Sequence, residues 1–212
     1  MKLHHFSILT AFFMPFFAIA DGLPAGFSQA LVERLTSEHK AVTEQQINTA
    51  RELVQFSRAY YKGVKADDYV ALVTKHKEYG ILFKDGSPRI TNGETVSVSR
   101  DKKEHEYKLH VEVDTPFGGL YELDATGKQI VTRPMKVGGE TSIENTVSRT
   151  DQLSYARQTT RVIPSAGGIL VEDKLHIILR EEGQKAAGMK KQLGILFSRF
   201  LDVFRKELGA QE

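Results

Sequence analysis

The sequence contains no cysteine and no tryptophan, and only six of its 212 residues are proline. The absence of cysteine excludes a disulfide scaffold, a thiolate metal site and a thiol nucleophile. Stability therefore has to come from a packed core. No proline-, glycine- or serine-rich segment divides the chain and no internal repeat is visible, so we expect one domain.

Neither sign of charge is in excess, because 29 Lys and Arg face 27 Asp and Glu. A net charge near zero gives no reason to expect a nucleic acid partner. The chain also lacks a His-Glu-x-x-His pair, a Walker loop, a dinucleotide fingerprint and a Gly-x-Ser-x-Gly elbow. His105 and His110 are five residues apart on a predicted strand, so they point to opposite faces and cannot chelate one ion. We expect no metal, no cofactor and no recognisable catalytic residues.

The first 20 residues have the pattern of a cleavable secretory signal peptide. Lys2 is their only charged side chain, an apolar run covers 6–20, and the run ends in Ala18-Ile19-Ala20. The run is too short, and too interrupted by polar residues and a proline, for the ~20 apolar residues of a spanning helix. We expect a mature domain of residues 21–212 that is periplasmic or secreted.

Helical periodicity predicts two short helices near the amino end. One covers 27–38 with Ser28 as its N-cap, and the other begins at Asp67 as N-cap and ends near Glu78. Between them, residues 39–65 carry mixed signals that suit strands at least as well as a helix.

From Pro88 onward apolar and polar residues alternate, which indicates strands. The clearest strand lies around 105–114 and has one charged face, as in an antiparallel sheet that is wet on one side. Residues 120–123 and 128–133 are predicted to form a hairpin around a turn at 124–127. Two long strands at 151–163 and 169–180 follow. We expect six or seven strands.

The last predicted element is a long amphipathic helix after Gly183. Its apolar stripe is too rich in large side chains to face water, so it must pack against the apolar face of the sheet. The stripe consists of Met189, Leu193, Leu196, Phe197, Phe200, Val203, Phe204 and Leu208.

Three stretches resemble the START-like superfamily, also called SRPBCC. Residues 63–79 are similar to its strand that enters a short helix, 167–179 to its penultimate strand with Ile169 where threonine is common, and 186–208 to its closing helix. The resemblance implies an α+β helix-grip fold, in which a curved antiparallel sheet wraps around a long C-terminal helix and short helices lie near the N-terminus. It also implies a cavity between sheet and helix for a hydrophobic small molecule or lipid. A filled core is the alternative.

We expect ten residues to face such a cavity and bind the ligand: Tyr107, Leu109, Val111, Tyr155, Arg157, Val171, Asp173, Leu175, Phe197 and Phe200. Asp173 is the one charge on an otherwise apolar strand face, and a buried carboxylate without a partner is costly. Its partner would be a ligand hydroxyl or Arg157 on the neighbouring strand. Alternatively, a bulge turns Asp173 outward.

The sequence thus predicts an exported, non-catalytic domain that binds a lipid-like ligand. One alternative is a cyclase- or hydrolase-type enzyme that uses Asp173, Arg157 and Tyr107 as acid–base groups. Another is an interaction protein of the cell envelope with an exposed apolar patch. Lysines around the second helix would favour transient contact with an anionic membrane surface, or they simply form a solvated face. They are Lys62, Lys65, Lys75 and Lys77.

Overall fold

The structure is a computed structural model that describes residues 22–84, 89–114, 120–148, 153–180 and 186–210. Its elements follow the order α1 (Gln29–Glu38), β1 (Val42–Thr49), β2 (Glu52–Lys62), α2 (Ala66–Val73), α3 (His76–Leu82), β3 (Arg89–Val98), β4 (Glu104–Asp114), β5 (Leu120–Thr132), β6 (Thr141–Val147), β7 (Leu153–Ser165), β8 (Gly168–Leu179) and α4 (Ala186–Glu207). The predicted α+β class is confirmed. Among the described residues, no helix is both long enough and apolar enough to cross a membrane.

All the described strands belong to one antiparallel sheet with the order β1-β2-β8-β7-β6-β5-β4-β3. Strands β3 to β8 form a meander, and β8 also pairs with β2. In this pairing Ser57 lies opposite Asp173. The described sheet has eight strands, one more than the upper expectation. The ambiguous segment 39–65 forms the hairpin of β1 and β2, β5 replaces two predicted strands, and β6 was not predicted.

The turn predicted at 124–127 is wrong. Strand β5 runs unbroken through this segment, with Asp124 opposite His110 and Gly127 opposite Tyr107. Glycine at 127 serves the packing of a ring rather than a turn, because a Cβ atom at this position would overlap the Tyr107 ring and hydroxyl. A glycine in a strand often marks such a close approach.

Helix α1 agrees with its prediction, and the Ser28 side chain accepts a hydrogen bond from the Leu31 backbone N–H at 3.2 Å. The single helix predicted over 67–78 is instead two, α2 and α3. The Thr74 hydroxyl, just after α2, donates to the Val70 carbonyl at 3.0 Å, a local bond that competes with regular helical pairing. Lys65, and not Asp67, occupies the N-cap position of α2.

The two faces of the sheet are covered by different helices. On the inner face, α2, α3 and α4 enclose the main core, which includes the buried side chains of Tyr61, Tyr69, Phe83, Leu201 and Phe204. On the outer face, α1 covers part of β2, β7 and β8 and forms a second cluster with Phe27, Leu35, Tyr60, Ile163 and Leu170. The outer face of the sheet is therefore exposed to solvent along β4, as predicted, but α1 covers part of it along β2, β7 and β8.

A network of ion pairs fastens the amino-terminal segment to this outer face. Glu172 contacts Arg58 at 2.6 Å and Arg161 at 2.9 Å, and the Glu172 side chain is only 7% exposed. Arg161 also pairs with Glu140 at 2.7 Å and donates to the Ala25 carbonyl at 2.7 Å. The network joins β2, β7 and β8 to the residues that precede α1.

Candidate ligand-binding cavity

A cavity of about 270 Å³ lies between the inner face of the sheet and the three helices. Its volume is almost twice that of an apolar cavity of about 150 Å³ that binds benzene, and lies just below ~300 Å³, the lower end of the range for small-molecule pockets. The space therefore suits a compact ligand. Its walls are formed by Tyr69, Val73, His76, Tyr79, Ile90, Tyr107, Leu109, Val111, Gln129, Ile143, Asn145, Val147, Leu153, Ala156, Arg157, Gln158, Thr160, Asp173, Leu175, Ile177, Phe200, Leu201 and Phe204.

Seven of the ten predicted site residues line this cavity: Tyr107, Leu109, Val111, Arg157, Asp173, Leu175 and Phe200. Their contact with a ligand stays a prediction. Val171 lies on the same face of β8 but is fully buried in the main core, away from the cavity. Tyr155 lies on the outer face, where its ring packs against the His176 ring with the two ring centroids 5.1 Å apart. Phe197 lies in α4, and its side chain is outside the described residues.

Asp173 faces the cavity from β8 and is 5% exposed. Its Oδ1 atom accepts hydrogen bonds from the Thr160 hydroxyl and from Gln158 Nε2, the latter at 3.1 Å. No described residue donates a hydrogen bond to the other carboxylate oxygen, Oδ2. The bulge considered for this position is wrong, because Asp173 pairs in regular register with both neighbouring strands.

Arg157 is not the partner of Asp173, and that prediction is wrong. Strand β7 directs Ala156 and Gln158 to the inner face, so the intervening Arg157 side chain turns outward and forms an ion pair with Glu144. The Arg157 side chain is 47% exposed, although Arg157 borders the cavity.

Burial changes the acidity of Asp173. The loss of solvation raises the pKa of this carboxyl from 3.8 to about 6, although the hydrogen bonds from Thr160 and Gln158 oppose the rise. The nearby charge of Glu172 adds to it. Asp173 therefore changes its charge close to neutral pH.

A row of carboxamide side chains crosses the inner face of the sheet. Gln129, Asn145 and Gln158 are consecutive in register on β5, β6 and β7, and Leu175 of β8 separates them from Gln55 and Gln45. Asn145 Nδ2 donates to Gln158 Oε1 at 3.4 Å, and Gln55 Nε2 donates to the Ser57 hydroxyl at 3.2 Å. We call Gln129, Asn145, Gln158, Gln55 and Gln45 the amide row. The prediction missed it, although carboxamides on apolar strand faces were a signal in the sequence.

Gln129 forms one end of the amide row. Its Nε2 donates to the Val73 carbonyl at 3.2 Å, and this carbonyl fixes the side-chain orientation because it can only accept. Gln129 Oε1 is then buried with no hydrogen-bond partner among the described residues. Such an acceptor is costly unless a ligand or water satisfies it.

Aromatic rings surround this end of the cavity. The His76 ring stacks on Tyr107 with centroids 4.4 Å apart and planes 11° from parallel. Burial lowers the pKa of His76 to about 4 and raises the pKa of Tyr107 to about 12, so both side chains are uncharged at neutral pH. The Tyr79 hydroxyl is already engaged, since it donates to the Val73 carbonyl at 2.8 Å.

One cluster outside the cavity has side chains of the metal-ligating type. His110, Glu112 and Glu122 offer ligand atoms within 4.8 Å of one another on β4 and β5. His110 Nδ1 also lies 2.7 Å from Asp124 Oδ1, and this hydrogen bond raises the pKa of His110. The sequence had not predicted the cluster, and such acidic groups at a surface are common without an ion.

Comparison by sequence is uninformative, because no family model and no curated protein matches this chain. Comparison by structure finds the STAR-related lipid transfer protein of Xanthomonas axonopodis, with 13% identity and a TM-score of 0.57 over 78% of this chain and 93% of that one. Human STARD10 is similar with 11% identity and a TM-score of 0.54 over 88% of this chain and 80% of the other.

A third similar structure is the di-domain ARO/CYC protein BexL of the BE-7585A biosynthetic pathway. It shares 9% identity and a TM-score of 0.53 over 86% of this chain, which spans 55% of that protein's length. These likenesses show that the chain has the START-like helix-grip fold, and the predicted fold is confirmed.

Proposed function

We propose that this START-like protein binds a compact hydrophobic molecule in the cavity beneath α4 and does not transform it. The observation that carries the proposal is the cavity itself, whose walls are mainly apolar and aromatic with a few polar groups. That combination is typical of sites that bind small molecules. The name of the similar lipid transfer protein from Xanthomonas axonopodis supports the same ligand class.

The proposed contacts fall into two groups. Leu109, Val111, Leu175 and Phe200 supply apolar surface, and burial of that surface drives binding. Asp173 is the proposed polar contact, because it is the acidic residue of the cavity wall and one of its oxygens has no described partner.

We further propose that the protein acts after export, as a periplasmic or secreted domain. The signal-peptide pattern of residues 1–20 supports this location. Transient contact with an anionic membrane surface, through exposed lysines such as Lys65 at the N-cap of α2 and Lys77 within α3, would deliver or collect the ligand.

Native mass spectrometry of the protein purified from its own compartment tests the binding function. The expected result is an additional mass that is lost on denaturation. A bare protein mass, together with no binding of an apolar fluorescent dye, would contradict the proposal.

A pair of variants on β7 makes this test specific to the cavity. Ala156→Phe places a ring into the cavity, where Ala156 is 5% exposed, so the bound fraction should fall sharply. Ser154→Phe adds the same ring at an exposed position of the same strand and should leave the bound fraction unchanged.

Acid–base catalysis is a second candidate, because Asp173 has a pKa of about 6 inside an apolar cavity. Of the three catalytic groups considered from the sequence, Asp173 and Tyr107 face the cavity, whereas Arg157 is engaged with Glu144. Incubation of the released ligand with fresh protein distinguishes the candidates. A change in the ligand's mass that Asp173→Asn abolishes would favour the enzyme.

A further inference from the structure

Two acceptor atoms of the cavity wall have unused hydrogen-bonding capacity. They are Gln129 Oε1, which is buried and has no partner among the described residues, and Asp173 Oδ2, which receives neither of the two hydrogen bonds that Asp173 accepts from described residues. Gln129 and Asp173 are 2% and 5% exposed as whole residues, so bulk water has little access to these two atoms. Each acceptor can therefore take a hydrogen bond from a donor on the ligand, in place of a bound water.

The described hydrogen bonds of the neighbouring amides go to other acceptors. Gln129 Nε2 already donates to the Val73 carbonyl, and Gln158 Nε2 donates to Asp173 Oδ1. Asn145 Nδ2 donates in turn to Gln158 Oε1. The hydrogen bonds of the amide row thus run toward protein acceptors and leave Gln129 Oε1 and Asp173 Oδ2 for another molecule.

An anionic ligand finds no compensating cation on the described wall. The basic residues of the wall are Arg157, whose side chain is paired with Glu144, and His76, which burial keeps neutral. A carboxylate or phosphate would instead meet the charge of Asp173 in a site of low dielectric, where repulsion is strong.

The remaining polar groups of the wall are compatible with a hydroxyl or an ammonium group. Tyr69 and Tyr107 keep their protons because burial raises the pKa of both phenols. A ligand hydroxyl can accept from one of these phenols while it donates to a carboxylate. An ammonium group donates as well and is attracted to the faces of aromatic rings.

From these contacts we infer that the ligand is a compact apolar molecule whose polar end donates hydrogen bonds, as a hydroxyl or an ammonium group does, to Asp173 and Gln129. Fatty acid carboxylates and phosphate headgroups do not fit inside this cavity. The inference rests on the proposed function and specifies its ligand class.

Four probes with one ring skeleton test the inference by isothermal titration calorimetry at pH 8, where Asp173 is ionised. They are naphthalene, 2-naphthol, 2-naphthylmethylamine and 2-naphthoate, added to protein that has been freed of bound molecules. We expect 2-naphthol, the amine or both to bind at least tenfold more tightly than naphthalene, and 2-naphthoate to bind more weakly than naphthalene.

Variants assign the preference to the two acceptors. Asp173→Asn and Gln129→Met keep nearly the same volume, and each should reduce the advantage of the donor probes over naphthalene severalfold without changing the affinity for naphthalene. Lys174→Gln and Lys128→Gln change the adjacent residues on the outer face and should leave all four affinities unchanged.

The outcomes separate the inference from the function on which it rests. If naphthalene, 2-naphthol and 2-naphthoate bind equally, or if the donor preference survives both variants, the inference is wrong while the cavity still binds apolar molecules. If no probe binds and the native mass is bare, the proposed function itself is wrong.

Discussion

Glu172 and Asp173 are consecutive buried residues of β8 on opposite faces of the sheet, and among the residues that the structure describes only Glu172 has cationic partners. Glu172 is held between Arg58 and Arg161, whereas Asp173 receives hydrogen bonds from the uncharged groups of Thr160 and Gln158. The two carboxylates should therefore affect stability in opposite directions.

Glu172→Gln should destabilise the fold. The substitution leaves the largely buried Arg58 with only the exposed carboxylate of Glu44, and breaking a buried pair costs about 3–5 kcal/mol. Urea unfolding at pH 7 measures the loss. Glu44→Gln is a matched control, because Glu44 also contacts Arg58 but is 63% exposed, and its loss should stay below about 1 kcal/mol. Equal losses for the two variants would show that burial of the Glu172 pair is energetically unimportant.

Asp173→Asn should stabilise the protein at pH 8. Because the folded-state pKa of about 6 exceeds the ordinary value of 3.8, the folded state holds the proton more tightly, and stability falls as pH rises from about 4 to 6. The full effect is about 3 kcal/mol above that window. The tyrosines that share an electrostatic interaction with Asp173, namely Tyr61, Tyr69 and Tyr79, stay protonated throughout, since burial raises their pKa values.

The difference in unfolding free energy between wild type and Asp173→Asn, measured at pH 4 and pH 8, isolates this carboxyl from other titrating groups. The difference should be larger at pH 8. Lys174→Gln, with an exposed side chain next in sequence, should show no such dependence. If the unfolding free energy of the wild type rose relative to that of the variant between pH 4 and pH 8, the result would contradict the raised pKa.

Gly127→Ala should destabilise the cavity wall. The new methyl group would overlap the ring of Tyr107, which is 5% exposed and stacked on His76, so the ring has little room to move. Overpacking of this kind costs about 1–3 kcal/mol. In a double-mutant cycle, the cost of Gly127→Ala should be smaller in a Tyr107→Leu background. An unchanged cost would mean that the glycine is required for another reason.

Export should yield a protein that begins near Asp21. The pattern Ala18-Ile19-Ala20 predicts cleavage after Ala20, and the intact mass of the protein from the producing cell measures it. Ala18→Arg should block processing, because the position requires a small side chain, whereas Ala18→Gly should allow it. Retention of all 212 residues in the wild type would contradict the prediction.

The helix-grip arrangement was implied by the resemblance to the START-like superfamily, whereas periodicity predicted most of the strands and the closing helix, because each of them buries an apolar face. Periodicity failed where a residue serves a distant contact. The segment 124–127 has turn-like composition, yet Gly127 makes room for Tyr107 on the neighbouring strand. Local pattern cannot reveal such a reason, since it depends on register.

Strand β7 limited the prediction of the site. Its two faces are both mixed in polarity, so Tyr155 and Arg157 seemed as suitable for the cavity as Ala156 and Gln158. Only pairing with β8, which includes a register irregularity between Leu153 and Tyr155, decides the orientation. Asp173 was easier to identify, because a single charge on an apolar strand face is conspicuous. Gln129 was missed since its partner, the Val73 carbonyl, lies 56 residues earlier.

The pairing of β2 with β8 also determines how late in synthesis the sheet can be assembled. Arg58 and Glu172 are 114 positions apart, and Ala25 and Arg161 are 136 apart. A chain that leaves the ribosome or crosses a membrane amino end first therefore presents the β1–β2 hairpin with the outer edge of β2 unpaired until β8 has followed. An open strand edge is a site of aggregation, so the hairpin depends on protection during biogenesis until β8 arrives to pair with it.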